Sequence, residues 1–366
     1  MKTGCVNLPL HGGKCPKWLF PRMKKLSGAI SEIIVDEFGQ EEFLKRISNP
    51  YFFQSFGCII GFDWHSSGLS TTTLGALKES LDNMDIGIKI AGGKGKTSRK
   101  APNEIENISD EFNLSENKKK RLIYSSKMSA KVDSNLIQDG YSLYHHSFFV
   151  AENGSWAVVQ QGMNEKYARR YHWLSDNITS FVLEPNTSIC GDKKEENVLN
   201  MTAKESEEAQ KISLDLVNDN PSHLKKYFKE PIQKDLNYFF NDQNIFSMNS
   251  RHEIIDMNKR GMDMLNKAYE MQPKTYEELV AIKGIGAKSI RSLALISDLV
   301  YGKPASWRDP VKYSFAHGGK DGIPYPVNRK LMDENTELLK DAIISAKIGD
   351  KDRLNAIKRL TEFLRY

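Results

Sequence analysis

The sequence has few cysteines, no long apolar run and no large excess of charge, and each of these absences excludes a class of protein. Its 366 residues include four cysteines, none of them in a C-x-x-C pair, so a disulfide-stabilised scaffold is excluded and a reduced, cytoplasmic protein is expected. No apolar stretch reaches the roughly 20 residues that a membrane-spanning helix needs, and the first residues lack the apolar core of a secretory signal. We therefore expect no membrane partner.

Charge is modest in total but unevenly distributed. The formal net charge of +5 is too small for 366 residues to indicate a partner. Residues 89–131 contain eleven lysines and arginines against five acidic residues, whereas residues 176–220 contain four against ten. The basic segment predicts an anionic ligand nearby. A solvated, lysine-rich surface is the alternative interpretation.

The first half of the chain predicts a mixture of helices and strands. Residues 1–175 contain helical periodicity together with aromatic and β-branched stretches at 141–150 and 156–161. The sequence Asn153-Gly154 lies between these stretches and is a strong signal for a β-hairpin turn. We expect residues 1–175 to form an α+β domain that carries the candidate active site.

The rest of the chain predicts helices. Residues 176–200 are polar and acidic, which predicts a linker, and helical periodicity dominates residues 201–366. Gly349 separates the two closing helices of this part. The predicted fold class is therefore an α+β N-terminal domain, followed by an all-α C-terminal domain that contains a helix-hairpin-helix.

That hairpin, within residues 275–302, is the most specific motif of the chain. Thr275 and Glu278 match the T-x-x-E capping box that begins a helix. Gly284-Ile285-Gly286 predicts a tight turn that other residues would strain, followed by a second helix. The pattern resembles a helix-hairpin-helix DNA-binding motif. An ordinary helical hairpin with a glycine-rich turn is the alternative.

A turn of this kind suits the phosphate backbone of DNA. Glycines allow close approach, and the amides at the start of the second helix face a phosphate. Contacts of this type give affinity that depends on salt, with little sequence specificity. The predicted DNA-binding residues comprise the turn, its basic neighbours and the cations of an earlier glycine-rich loop, namely Lys283, Gly284, Ile285, Gly286, Lys288, Arg291, Lys94, Lys96 and Arg99.

The earlier loop, residues 92–99, resembles a phosphate-binding loop that follows a strand. Its spacing is not G-x-x-x-x-G-K-[ST], so the P-loop of nucleotide hydrolases is excluded. Its amides could still hold a backbone phosphate or a nucleotide. A flexible basic loop is an equally good interpretation.

A scattered set of polar residues predicts a catalytic centre in the first half. Asp63, His65 and Asp133 are candidate ligands of a divalent cation, Mg²⁺ or Mn²⁺, that would activate water, and Lys131 could stabilise developing charge. The spacing is not diagnostic, and turns and satisfied hydrogen bonds are the more common explanation of such residues. His145 and His146 alternate on a predicted strand, so one of them is expected to be structural. The candidate catalytic residues are Asp63, His65, Lys131, Asp133, Asp139 and His145.

Several strings along most of the chain carry a resemblance to one family. They are residues 7–13 (NLPLHGG), 61–68 (GFDWHSSG), 138–141 (QDGY), 160–164 (QQGMN), 168–173 (ARRYHW) and 315–322 (FAHGGKDG). Together they resemble the family called domain of unknown function 763. The resemblance implies a largely microbial, cytoplasmic protein with a helix-hairpin-helix in its C-terminal half. It implies no catalytic residue.

The sequence thus favours a DNA-binding protein of repair or processing type, extended to a metal-dependent nuclease by the polar set. One alternative is a helix-hairpin-helix glycosylase or lyase that uses Lys288, although Asn328 stands where those enzymes have an aspartate. Another alternative is a non-enzymatic DNA-binding module that recruits a partner protein. DNA backbone is the expected partner in each of them.

Overall fold

The computed structural model describes residues 15–62, 67–191, 194–227, 259–311, 329–346 and 348–364. Its helices in these ranges are α1 (Phe20–Ile47), α2 (Pro50–Ile59), α3 (Gly68–Leu81), α4 (Ala101–Glu111), α5 (Glu116–Asn135), α6 (Glu207–Asn218), α7 (Lys259–Met271), α8 (Tyr276–Ala281), α9 (Ala287–Tyr301), α10 (Arg329–Ser345) and α11 (Asp350–Leu364). The strands are β1 (Ile88–Lys94), β2 (Ile137–Gln138), β3 (Ser142–Ala151), β4 (Trp156–Met163), β5 (Ala168–Leu174), β6 (Ser188–Cys190) and β7 (Leu199–Asn200).

An antiparallel sheet forms the centre of the fold. Five strands pair in the order β1-β3-β4-β5-β6, and β2 pairs separately with β7. The hairpin predicted at Asn153-Gly154 is confirmed, since β3 and β4 pair across it and Gly154 has a φ of 90°. Strand β1 runs through the glycines at 92 and 93 as far as Lys94, further than the short strand predicted there.

Helices cover both faces of this sheet, because neighbouring strand residues point to opposite sides. Phe149 packs in an apolar cluster with residues of α1, α2, α3, α10 and α11. Phe148, its neighbour, packs in a second cluster with residues of α4 to α9. The result is a mixed arrangement of three layers, with a helical layer on each side of the sheet, which agrees with the predicted α+β class.

Both apolar clusters contain residues from before and after the predicted linker. Phe148 shares one cluster with Ile290, and Phe149 shares the other with Ile343. Residues 188–190 of the predicted linker form strand β6 and pair with β5. The helices after residue 200 therefore pack in the same layers as those before it. A separate all-α domain stays a prediction.

Local capping explains where one of the early helices begins. Asn49 caps α2, because its side-chain oxygen accepts from the amides of Tyr51 and Phe52. Helix α3 begins at Gly68 without a side-chain cap from the residue before it. Helix α1 is kinked at Gly39, where φ is 84°.

Among the described helices, none combines the length and the apolar composition required to cross a lipid bilayer.

Candidate nucleic-acid interface and adjoining pocket

A turn of five residues, Ile282 to Gly286, joins helices α8 and α9 and is called the hairpin turn below. Thr275 caps α8 as predicted, with its Oγ1 accepting from the amide of Glu278 at 3.1 Å. Gly284 has a φ of 103°, and a Cβ at that position would collide with the Met264 sulfur. Gly302 ends α9 in the left-handed conformation, with a φ of 63°.

The outer side of the hairpin turn is accessible. Lys283, Gly284 and Lys288 are exposed, whereas Ile285 is buried in the core. The first four amides of a helix have no acceptor within the helix. In α9 that of Ala287 donates to Asn135 Oδ1 at 3.1 Å, and those of Gly286, Lys288 and Ser289 have no acceptor in the described part of the chain. Ser289 is buried, so we give the name hairpin surface to the amides of Gly286 and Lys288 together with the side chains of Lys283 and Lys288.

Helix α5 and the residues after it hold the inner side of the hairpin turn in place. Lys131 Nζ donates to the carbonyl of Ile282 at 2.6 Å. Gln138 Nε2 donates to the carbonyl of Ala287 at 2.8 Å. Burial lowers the pKa of Lys131 to about 8. The structure thus places Lys131, predicted to stabilise charge at a catalytic centre, against the hairpin turn as a support.

Asp133, a predicted metal ligand, is fully buried, and its carboxylate accepts hydrogen bonds from three N–H donors. Its Oδ2 accepts from Gln160 Nε2 at 2.6 Å and from Trp173 Nε1 at 2.8 Å, and its Oδ1 accepts from Asn186 Nδ2 at 2.9 Å. Burial raises the pKa of Asp133 to about 7, although the three hydrogen bonds oppose the shift. Both of its oxygens are therefore engaged by N–H donors.

Asp139 belongs to a buried ionic cluster around Arg169. Arg169 donates to Asp139 at 2.9 Å and to Asp309 at 2.8 Å, and Tyr171 Oη donates to Asp139 at 2.6 Å. Burial raises the pKa of Asp139 while Arg169 opposes that rise. The cluster joins β5 to residue 309, beyond α9, and gives Asp139 a structural partner.

Of the three predicted metal ligands, Asp133 alone lies in the ranges that the structure describes. Asp63 and His65 lie outside the described residues, as do residues 315–322. In the ranges that the structure describes, no group of three or more histidine, cysteine or acidic side chains is placed to hold a metal ion. Asp133 and Asp139 are instead held by separate sets of hydrogen-bond donors.

A pocket of about 240 Å³ lies between the start of α4, α5 and β3. Ser126 and His146 are buried in its wall, and the side chains of Arg99 and Lys127 are exposed at its border. The same helix lines the pocket with Lys127, Ala130 and Ser134 and supports the hairpin turn with Lys131 and Asn135. Because an α-helix has about 3.6 residues per turn, Ala130 and Lys131 point to neighbouring sides of it. The pocket and the hairpin turn therefore occupy adjoining faces of α5.

The two neighbouring histidines of β3 have different environments. His146 Nε2 lies 2.9 Å from Ser126 Oγ, and its Nδ1 lies 2.9 Å from Gln160 Oε1. His145, the predicted catalytic residue, has its Nε2 2.9 Å from Ser147 Oγ, while its buried Nδ1 has no partner among the described residues. Burial lowers the pKa of His145 to about 3. Both residues border the pocket, but His146 has the partners of a proton acceptor.

The glycine-rich loop does not present its first amide to a ligand. The amide of Gly92 donates to Glu104 Oε2 at 2.8 Å, and its carbonyl accepts from Lys78 Nζ at 2.9 Å. The residues after β1 form a 3-10 helix, Gly95–Lys100, that carries the predicted cations Lys96 and Arg99 in exposed positions. Lys94, also exposed, lies with its Nζ 5.9 Å from the centre of the Tyr144 ring.

Sequence reasoning missed Ser126, Gln160, Asn135 and Gln138 as parts of the site. Nothing in the local sequence distinguishes Ser126 within a helix rich in serine and lysine. The His145-His146 pair is the signal that the sequence offers. His145 is the predicted catalytic member, whereas His146 is the one that contacts Ser126. Arg291, predicted to bind DNA, is half-buried on α9. Lys288, the residue of the glycosylase alternative, is exposed on the first turn of that helix. Residues 312–328, which include Asn328, lie outside the described ranges.

Comparison with known proteins identifies the family and nothing closer. The family model described as "Protein of unknown function (DUF763)" matches residues 4–327, so the chain belongs to that family. No curated protein and no solved structure matches the chain.

Proposed function

We propose that this family member binds the sugar–phosphate backbone of DNA through the hairpin surface, in a role in repair or processing. The observation that carries the proposal is the combination of two exposed lysines with the amides of Gly286 and Lys288, which have no acceptor among the described residues. Helix N-termini of this kind attract phosphate, because N–H groups and the helix dipole act together. The turn then acts as a helix-hairpin-helix.

The supports of the hairpin turn favour this role, because the turn is held before any ligand arrives. Lys131 donates to the carbonyl of Ile282 in the hairpin turn. Asn135 and Gln138 hold the amide and the carbonyl of Ala287, the residue that follows the turn. Glu277 of α8 accepts from Tyr124 Oη of α5 at 2.7 Å. A ligand therefore pays little ordering entropy at the turn, which favours binding.

Charge near the hairpin turn extends the surface toward the pocket. Lys127 lies one helical turn before Lys131 on α5, and Arg99 borders the same pocket. Both side chains are exposed and cationic at neutral pH. A strand bound at the hairpin surface would meet them next, and affinity would fall with salt as counterions are released.

Charge reversal at the hairpin surface tests the proposal. Lys283→Glu with Lys288→Glu is expected to weaken binding of a fluorescent duplex by about tenfold or more, and to lower the slope of log affinity against log salt by roughly two. Fluorescence anisotropy between low and moderate salt measures both. Unchanged affinity and slope would contradict DNA binding at this turn.

A matched control keeps the same change in net charge. Lys25 and Lys45 are exposed on α1, which packs on the opposite face of the sheet from α9. Lys25→Glu with Lys45→Glu is expected to retain at least half of the affinity. An equal loss in both double variants would mean that binding follows overall charge rather than the hairpin surface.

Metal-dependent cleavage of the bound DNA stays a prediction. It needs Asp63 and His65 to join Asp133, whose oxygens now accept from three N–H donors. Nicked, flapped and single-stranded DNA incubated with Mg²⁺ or Mn²⁺, and in parallel with a chelator, would test it. Product that forms only with the metal would support the nuclease, and loss of that product in Asp133→Asn would assign this carboxylate.

A further inference from the structure

The pocket beside the hairpin turn contains a serine hydrogen-bonded to a histidine. Ser126 Oγ lies 2.9 Å from His146 Nε2, and both residues are buried while lining the pocket. A hydroxyl within hydrogen-bond distance of an imidazole nitrogen is the arrangement that activates a serine for nucleophilic attack. None of the functions considered above uses this pair.

A chain of hydrogen bonds determines which nitrogen of His146 carries the proton. Asp133 is surrounded by N–H donors, so the Gln160 amide donates its Nε2 to Asp133 Oδ2 at 2.6 Å. Gln160 Oε1 then faces His146 Nδ1 at 2.9 Å and can only accept, so Nδ1 carries the hydrogen. The neutral ring therefore has its lone pair on Nε2, directed at the hydroxyl of Ser126.

The surroundings keep this imidazole neutral and admit an anion. Burial lowers the pKa of His146 to about 4, so the ring is neutral at neutral pH and its Nε2 lone pair is free to accept the hydrogen bond of Ser126. Arg99 and Lys127 are exposed at the border of the pocket, where they would attract a negatively charged group. The volume of about 240 Å³ is enough for a phosphoryl group and part of its substituents.

We propose that Ser126 is a nucleophile toward phosphoryl esters, with His146 as its general base. Ser126 Oγ forms a bond to phosphorus as its proton moves to His146 Nε2. The bond from phosphorus to the ester oxygen breaks, and that oxygen leaves with the proton from His146. Water, deprotonated by His146, then attacks the phosphorus of the Ser126 ester. The bond from phosphorus to Ser126 Oγ breaks, His146 returns the proton to that oxygen, and a phosphomonoester is released.

Two sources can supply the ester. One is the backbone phosphodiester of DNA held at the hairpin surface, which rests on the proposed function. The other is a small phosphodiester that enters the pocket alone. In both, the anionic oxygens lie toward Arg99 and Lys127, and Gln160 acts as a positioning residue through His146.

A phosphorus electrophile tests the nucleophile without DNA. The full-length protein is incubated with a fluorophosphonate, and the modified residue is located by mass spectrometry. We expect one adduct, on Ser126, that is absent in Ser126→Ala and forms at least tenfold more slowly in His146→Asn. The matched control Ser125→Ala removes the adjacent buried hydroxyl of α5, which does not line the pocket, and should label at the normal rate. No adduct on Ser126, or an undiminished rate in His146→Asn, overturns the proposal.

Folding of each variant is checked by circular dichroism. If Ser126→Ala is unfolded, Ser126→Cys keeps a nucleophile beside His146, and His146→Asn in that background should slow its alkylation by iodoacetamide at least tenfold. An equal alkylation rate with and without His146 would overturn the proposal.

Turnover separates the two sources and the positioning role. Hydrolysis of bis-p-nitrophenyl phosphate that requires Ser126 supports the small-ester source. A denaturant-stable link of Ser126 to DNA, lost in the Lys283→Glu, Lys288→Glu variant while fluorophosphonate labelling remains, supports the DNA source. Labelling that persists while wild-type DNA binding fails would contradict the proposed function alone. Absence of both turnover and DNA adduct overturns the proposal. Gln160→Met should lower kcat and leave KM unchanged.

Discussion

Charged side chains in the interior of the sheet are buried and paired, whereas the lysines of the hairpin surface are exposed to solvent. In the interior, Arg169 is fully buried and bound to two carboxylates at 2.8 and 2.9 Å. At the hairpin surface, Lys283 and Lys288 stand exposed beside amides that have no acceptor among the described residues. Since a buried charge must be paired to be tolerated, the interior charges maintain the fold. The surface charges are available to a ligand.

The largest effect is expected where a buried pair is broken. Arg169→Met leaves Asp139 and Asp309 buried without their cation, so the free energy of unfolding should fall by about 3–5 kcal/mol. Arg170→Met is the matched change on the opposite face of β5, where the partners include the neutral Ser70 and Gln54. It should cost about 1–3 kcal/mol. Urea unfolding measures both, and equal losses would contradict the difference drawn between the two arginines.

The buried histidines give the next effect, on the pH dependence of stability. Burial lowers the pKa of His145 to about 3 and that of His146 to about 4, and it also lowers the pKa of His172. At these histidines the unfolded chain therefore binds more protons than the folded one below pH 6.5, so they lower the stability as the pH falls. Burial raises the pKa of Asp133 and Asp139, which opposes this fall.

Unfolded histidines are half protonated at pH 6.5 and almost fully protonated at pH 5, so three histidines against two aspartates leave a difference that grows to about one proton near pH 5. The free energy of unfolding should therefore fall by roughly 1 kcal/mol between pH 6.5 and pH 5, since one proton corresponds to about 1.4 kcal/mol per pH unit. Urea unfolding at the two pH values measures it. His145→Gln should make the dependence shallower and Asp133→Asn steeper. A stability that rises on acidification would show that the aspartates dominate.

The smallest effect is expected where the interior supports the surface. Asn135→Ala removes the acceptor of the Ala287 amide, which should lower the free energy of unfolding by about 1 kcal/mol, as for the loss of a helix cap. Because Lys131 and Gln138 still hold the hairpin turn, DNA affinity in the anisotropy assay should change less than threefold. A loss as large as that of the double charge reversal would mean that the surface depends on this one contact.

Local patterns predicted the elements whose determinants are close in sequence. The β3–β4 turn at Asn153-Gly154, the Thr275 cap and the end of α9 at Gly302 are each specified by residues within a few positions. The second closing helix predicted after Gly349 is α11, which begins at Asp350, because its start is also determined by neighbouring residues. Helix ends and two-residue turns can therefore be predicted from a single sequence.

Contacts between distant residues could not be predicted in this way. Arg169 and Asp309 are 140 positions apart, and nothing near either of them indicates the other. Asn135 reaches the hairpin turn across 152 positions, and Ser126 meets His146 across a helix and a strand. Asp133, a predicted metal ligand, accepts from three N–H donors that lie 27 to 53 positions away in the sequence. The position of α5 between the pocket and the hairpin turn depends on packing alone.

Helix α5 fixes the distance between the pocket and the hairpin turn. Lys127 and Lys131 are four residues apart, which is about 6 Å along a helix axis. Lys127 borders the pocket and Lys131 contacts the hairpin turn, so the helix keeps these two features at a constant spacing. If DNA is bound and cleaved as we propose, its product ends would lie at a uniform distance from the bound phosphate, whatever the base sequence.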